Sequence, residues 1–501
     1  MTSYFSFRST VLSLSKNTSL FLLTRVVGVC ISIGLLPLFT RYLSPYEYGI
    51  IAILDSTVEI FSAFFAIVGG RVAIRFYHDA EDDLHRRRVI STSLIISSVL
   101  AFCAILLLIF LYRDIAFIAF KSYDYDKFLF LAVFSMLIGI PGGIASAVLV
   151  ASSRSRLVCI VDLIRVLFGA LLRIYLVVFL KQGIDGVLWT NFTCAALFGF
   201  GLAVWLIFSV GFSINRSLIR PMLRYGLPFA PMLITTIAMN SLNRFFLKAY
   251  GTAEQVAHYQ LAFQLPFTLS TMILGSFDQF WSANTIFTIA KTPNALNQYT
   301  RVSTYFLSFL SFILFSVAIS ANILVKIFAA PSYGPAALYI PFIAFGLWFY
   351  AFHTFVRTGV YLSTDTYLIA INHGLTLLAT ILFNWLFISR FGTYGAAYAC
   401  IVIYLFFSMA GGMIYKGFKY IELRKLTTIA ILWATLVLIR YQIGTYSIYT
   451  DICCNLFFAV LYLVLMFYFP FCISKEERSD IVAFIKLALN QKRNILQIFK
   501  S

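Results

Sequence analysis

The chain has 501 residues, of which 61% are hydrophobic, 18% aromatic and 12% charged. A soluble domain carries about 25% charged residues, so this composition excludes a soluble enzyme, a disordered chain, a collagen-like fibre and a disulfide scaffold. The net charge of +18 would suit nucleic acid in a soluble protein; in a polytopic membrane protein it reads as Lys and Arg gathered in cytoplasmic loops, and no nucleic acid is expected.

A spanning helix needs about 20 mostly apolar residues. Apolar runs between charges and Gly/Pro punctuation predict fourteen, near 18–40, 49–70, 89–112, 128–150, 157–180, 186–210, 225–248, 255–282, 302–326, 336–358, 366–388, 393–414, 425–443 and 451–472. The first run, behind Arg8 and Lys16 and without a small-residue cleavage site, reads as an uncleaved span. Ser44-Pro45-Tyr46-Glu47 predicts a capped helix start, and Thr252-Ala253-Glu254-Gln255 predicts another. The longest connection, about 79–88, reads as a charged loop, and no loop could hold a catalytic domain. After the last span, Ser474 to Glu477 open an amphipathic helix with Ile481, Phe484, Ile485 and Leu489 on its apolar stripe, suited to the cytoplasmic membrane face. The eight cysteines, Cys30, Cys103, Cys159, Cys194, Cys400, Cys453, Cys454 and Cys472, have no metal-ligand spacing and read as small buried apolar residues.

Sorted by side, 25 Lys and Arg fall on the N-terminus, even-numbered connections and C-terminal tail, against 9 on the odd-numbered connections. That asymmetry predicts cytoplasmic termini. Landmarks also recur. Phe39-Thr40-Arg41 with Glu47 matches Phe246-Leu247-Lys248 with Glu254; Tyr125 matches Tyr333; Lys181, Gly183 and Gly186 match Arg390, Gly392 and Gly395. The repeat would hold six spans, an even number, so the two copies face the same way and suit alternating access around a site between the halves. The expected domains are an N-terminal lobe at 1–215, a C-terminal lobe at 216–420, extra helices at 421–472 and a cytoplasmic tail at 473–501.

Ionisable groups inside spans need a partner or a wet cavity. Arg25, Arg173 and Arg244 lie deep and lack a nearby acid in sequence, which makes them candidates to line a cavity. Asp55 and Glu59 sit four apart on one helix face, where a shared proton or a neighbouring Arg would relieve their repulsion. Together with Asp278 they are candidates for H+ or Na+ coupling or for pairing with those arginines. Asp162–Arg165 reads as a local ion pair, and Lys248 and Arg357 as pairing or reaching to the interface. His258, His353 and His373 are isolated and read as structural; no metal site or cofactor is expected.

The stretch from Leu35 to Gly49, LLPLFTRYLSPYEYG, resembles the first-to-second-span signature of the polysaccharide biosynthesis, Wzx-type oligosaccharide flippases. Arg224 to Pro231, RYGLPFAP, is similar to that family's start of the second lobe, and Phe391 to Ala397, FGTYGAA, to its eleventh-to-twelfth-span turn. The resemblance implies the multidrug/oligosaccharidyl-lipid/polysaccharide exporter fold: an all-α membrane protein of about fourteen spans, in two pseudo-symmetric six-helix lobes plus two C-terminal helices. It implies transport of an undecaprenyl-diphosphate-linked oligosaccharide, such as an O-antigen unit, from the cytoplasmic to the periplasmic leaflet of the bacterial inner membrane. A polysaccharide polymerase and a chain-length regulator are its implied partners. Related flippases hold the diphosphate in a cationic cavity, for which Arg25, Arg173 and Arg244 are the candidates here. A peptidoglycan-precursor flippase and a multidrug/cation antiporter of the same superfamily are the alternatives. An enzyme would be expected to show a long external loop or a catalytic His pair, and neither is present.

Overall fold

The computed structural model describes residues 24, 26–65, 69–152, 154–227, 229–363, 365, 367–444 and 447–468. Arg25, Cys472 and the amphipathic tail helix expected after Ser474 lie outside the described residues. Among the described residues every regular element is helical. In chain order they are α1 Val26–Tyr42, α2 Pro45–Phe64, α3 Gly70–Asp79, α4 Asp83–Phe120, α5 Asp126–Ala151 and α6 Ser155–Ile174. Next come α7 Gly183–Cys194, α8 Gly201–Val210, α9 Arg216–Gly226, α10 Phe229–Tyr250 and α11 Ala253–Phe280. The chain continues with α12 Ile286–Ala290, α13 Ala295–Ile319, α14 Ala321–Phe328, α15 Ile340–Val356 and α16 Thr358–Leu362. It closes with α17 Tyr367–Ile414, α18 Leu423–Gln442 and α19 Ile448–Tyr468. Wide π turns follow α6 (Tyr175–Phe179), α7 (Ala195–Phe200) and α11 (Trp281–Thr285).

Both predicted caps form. Ser44 N–H donates to Glu47 Oε2 at 2.9 Å and Glu47 N–H to Ser44 Oγ at 3.3 Å, with Pro45 in the first turn of α2. Thr252 N–H donates to Gln255 Oε1 at 3.2 Å and Gln255 N–H to Thr252 Oγ1 at 3.4 Å, opening α11. The matched glycines Gly183 and Gly392 share a φ of +54°, a left-handed turn that any Cβ would strain. Gly392 divides the 48-residue α17 into the two spans expected there.

The connection expected as a charged loop at 79–88 is mostly helix. Asp82 caps His85 N–H at 2.5 Å and α4 runs from Asp83, where Arg86 pairs with Asp83 at 3.1 Å. Charged residues are good helix formers, and an acid at a helix start is favoured by the macrodipole. The cysteines also depart from expectation. Cys159 and Cys400 are buried, but Cys30, Cys103 and Cys453 lie on exposed helix faces, where lipid accepts an apolar residue as readily as a protein core does.

The chain divides into two compact units. The first holds residues 1–262, 325–336 and 373–399. Its centre is α5, whose Ile144, Ala145, Val148 and Leu149 pack with Ile90 and Leu94 of α4 and Ala203 and Leu206 of α8. Small residues let backbones touch, as is usual between membrane helices. A Cβ on Gly142 would lie 2.4 Å from the Gly199 backbone, and one on Gly49 would lie 1.9 Å from the Ala253 carbonyl oxygen.

The second unit holds 263–324, 337–372 and 400–501. Its α13 carries Phe315, which stacks on Tyr462 of α19 at 4.3 Å and meets Trp433 of α18 edge-on at 6.1 Å. Trp348 of α15 donates its indole N–H to the Leu307 carbonyl at 2.9 Å. Between α18 and α19, Arg440 and Asp451 form an ion pair at 3.0 Å, 4% and 2% exposed. Arg440 also donates to Asn455 Oδ1 at 2.7 Å and to the Gly444 carbonyl at 2.9 Å.

By length and apolarity, seven described helices can cross a membrane, or eight if the bent pair Arg216–Gly226 and Pro231–Tyr250 is one span. The seven are α4, α5, α7–α8, α13, α15–α16, α17 and α19. The chain is an all-helical, multi-pass membrane protein.

Candidate functional site

Four of the six charged candidates gather in the first unit. Arg173 stands at the end of α6, immediately before a π turn, an irregularity found often at functional sites. Its Nη2 donates to Asn191 Oδ1 of α7 at 2.7 Å, and its guanidinium lies 5.8 Å from the Phe39 ring centroid. Among the described residues its buried Nε has no partner. Arg244 of α10 is 6% exposed and held from two sides: Nε donates to Gln260 Oε1 at 2.5 Å and Nη1 to the Asn240 carbonyl at 2.7 Å. Arg244 is therefore turned inward, bonded to its own helix and to α11.

Asp55 of α2 is exposed and lies within electrostatic range of both Arg173 and Arg244. Tyr48, two turns earlier on α2, faces the same three groups. Glu59 accepts a hydrogen bond from Ser241 of α10. Each carboxylate thus has a neighbour besides the other: the two arginines act on Asp55, and Ser241 donates to Glu59.

Asp55 and Asn191 open onto a cavity of about 580 Å³. Its wall includes Gly139, Gly142 and Gly143 of α5, Ser135, Ser146 and the Asp162–Arg165 pair, whose 3.2 Å contact forms as expected. The sequence reading treated that pair as structural and passed over Asn191 and the glycines. Charge alone could not find them. The run Gly139-Ile140-Pro141-Gly142-Gly143 was the available signal, because small residues in mid-span free space beside a helix.

Asp278, in the second unit, pairs with Arg357, and Arg25 lies outside the described residues. In chemical terms the first unit offers a guanidinium with an unused donor, a second fixed guanidinium, and a cavity with hydroxyl, amide and carboxylate groups set among apolar and glycine residues. Guanidinium groups match phosphate oxygens through two directed, charge-assisted bonds, while hydroxyl, amide and carboxylate groups suit sugar hydroxyls.

A family model described as polysaccharide biosynthesis protein matches residues 14–279, more than half of the chain. The chain belongs to that family. The matched segment contains Arg25, Asp55, Glu59, Arg173, Arg244 and Asp278. Comparison with curated protein sequences finds no match. Among solved structures, this family member is similar to the lipid II flippase MurJ in an inward closed conformation. That likeness has 14% identity and a TM-score of 0.68, covering 90% of this chain and 98% of that one. It is also similar to a multidrug resistance MATE family transporter of the MOP superfamily in an inward-facing conformation, at 13% identity and a TM-score of 0.56 over 85% and 100% of the two chains. An outward-facing MATE family transporter matches at 14% and 0.50, over 79% and 93%. These likenesses establish the fold.

Proposed function

We propose that the protein is a flippase for an undecaprenyl-diphosphate-linked oligosaccharide, a repeat unit of O-antigen or another surface polysaccharide. It moves this lipid by alternating access from the cytoplasmic to the periplasmic leaflet of a bacterial inner membrane. Both termini are cytoplasmic, in line with the 25-to-9 distribution of Lys and Arg. Lobes 1–215 and 216–420 carry the transport cycle, and the extra helices at 421–472 stand outside it. Polymerase and chain-length regulator act on the delivered unit.

The observation that supports this most is that Arg173 and Arg244 both lie within electrostatic range of Asp55, which lines a cavity, in a membrane protein of a polysaccharide-biosynthesis family. In the proposed role, Arg173 binds a phosphate oxygen through its unused Nε, and Asp55 and Glu59 are the groups through which H+ or Na+ would be coupled. Arg25 shares the diphosphate-binding role.

The test is complementation of a deletion strain at matched protein abundance. Arg173→Gln removes a charge-assisted bond of about 1.5–3 kcal/mol, a tenfold or larger loss. Surface polysaccharide should fall by that factor, with lipid-linked oligosaccharide accumulating on the cytoplasmic leaflet. Wild-type polysaccharide in Arg173→Gln and in Arg244→Gln would overturn the assignment. The likeness to MurJ carries a second reading, a peptidoglycan lipid-precursor flippase; rescue of a strain depleted of its lipid II flippase would favour it.

A further inference from the structure

The second unit contains a charged cavity that the proposed transport site does not use. Its volume is about 180 Å³, well above the ~10–15 Å³ that admits one water. Its lining combines Asp278 of α11 with Tyr350, His353 and Thr354 of α15, Arg357 at the α15–α16 junction, and Thr271. Asp278 is the single carboxylate among the lining residues, whereas Arg357, His353, Tyr350 and Thr354 carry donors; the Thr271 hydroxyl donates to the Phe267 carbonyl at 2.8 Å. A cation would want the reverse proportion.

Arg357 is bound to Asp278 through Nη2 and lies 5.5 Å from the Tyr361 ring centroid. Its Nε is buried and, among the described residues, has no partner. A buried unsatisfied donor costs about 1–3 kcal/mol, a cost that an oxyanion bridging Nε and Nη2 would remove. Both partners sit where their helices are irregular. Asp278 lies three residues before the π turn Trp281–Thr285, and Arg357 occupies the break between α15 and α16. Such breaks allow a side chain to change partner without unwinding a regular helix.

We infer that the Arg357 cavity is a second anion site, one that takes an oxyanion of the phosphate class, with Asp278 as the built-in counter-ion that the ligand displaces. The carboxylate occupies the guanidinium when the site is empty, so Arg357 is never left as an unpaired buried charge. The ligand is held by Arg357 with help from the Thr354 and Tyr350 hydroxyls. This site is separate from the Arg173 group, and its test reads binding rather than transport, so it can fail while the flippase reading stands.

The experiment is equilibrium binding of inorganic pyrophosphate to the purified full chain in nanodiscs. Asp278→Asn frees the guanidinium and should tighten pyrophosphate binding tenfold or more. Arg357→Gln should abolish that gain in the double variant. Arg357→Lys, which keeps the charge and loses the planar fork, should bind less tightly than wild type; it keeps the test valid if Arg357→Gln does not fold. Competition by nanodiscs containing a polyprenyl diphosphate would identify a lipid head group as the source. Displacement by soluble phosphate alone would identify a free anion, and either result supports the site. Unchanged or weaker binding in Asp278→Asn, or a gain that persists in the double variant, would overturn it. So would sodium binding that depends on Asp278 with no pyrophosphate effect.

Discussion

Arg440 and Asp451 show what a buried charge requires inside a membrane bundle. Three directed bonds leave Arg440 satisfied, while Asp451 Oδ2 is buried with no partner among the described residues. Removing one member of such a pair leaves the other charged and dry, a loss of about 3–5 kcal/mol, whereas replacing both by apolar residues of similar size is often neutral. Arg440→Met or Asp451→Leu alone should therefore lower the unfolding temperature of the purified protein markedly. The double variant should recover most of the loss. Arg244 is under a similar constraint, since truncation would strip donors from Gln260 and Asn240. Arg173 is half-buried and keeps one donor unused, so its substitution reports more directly on ligand binding.

Among elements, the informative contrast lies within α5. Gly142 faces the Gly199 backbone at 2.4 Å for a notional Cβ, whereas Gly143, the next residue, has nothing within 4 Å. Gly142→Ala must push two helices apart and should cost about 1–3 kcal/mol. Gly143→Ala adds a methyl in open space and trims unfolded-chain entropy, so it should be neutral or gain about 0.4–1 kcal/mol. Thermal unfolding of the two variants side by side checks both statements. Gly49→Ala should behave like Gly142→Ala, because its obstacle is the rigid Ala253 carbonyl. How much was legible at this scale followed sequence distance. The caps at Ser44 and Thr252 and the turns at Gly183 and Gly392 are local chemistry and could be read from a few residues. The partnership of Arg173 with Asn191 depends on how α6 returns as α7, and that of Asp278 with Arg357 spans 79 positions. Composition identifies both arginines as costly without saying what compensates them. The charged stretch that opens α4 reads as loop but folds as helix, because residues that favour solvent also favour helix.

Across the whole molecule, apolarity and function divide the helices between them. The seven helices apolar enough to be recognised as spans exclude α2, α6, α10 and α11, and these four carry Asp55, Glu59, Arg173, Arg244 and Asp278. The spans hardest to count by hydropathy are thus those with candidate chemistry, because each polar group that serves a cavity subtracts from the apolar signal. The fourteen predicted spans and the seven helices recognised by apolarity differ partly for this reason, partly because α17 alone holds two of the predicted spans, and partly because α1 is described over only Val26–Tyr42 and α18 carries charges of its own.

The α18–α19 ion pair has a consequence for how the chain enters its membrane. Arg440 lies in the last turn of α18 and Asp451 in the first turn of α19, where a lone charge costs less than the about +2.5–3.5 kcal/mol of a helix centre but still penalises its helix when that helix enters the lipid alone. Once Arg440 meets Asp451 the two charges form one neutral pair and the penalty is shared. The last two helices should therefore leave the translocon together, α18 waiting for α19 to be synthesised. Nascent chains stopped at Gly444 should be extracted and degraded, and Arg440→Leu should restore their integration; pulse-labelled insertion of the truncated chains would measure both.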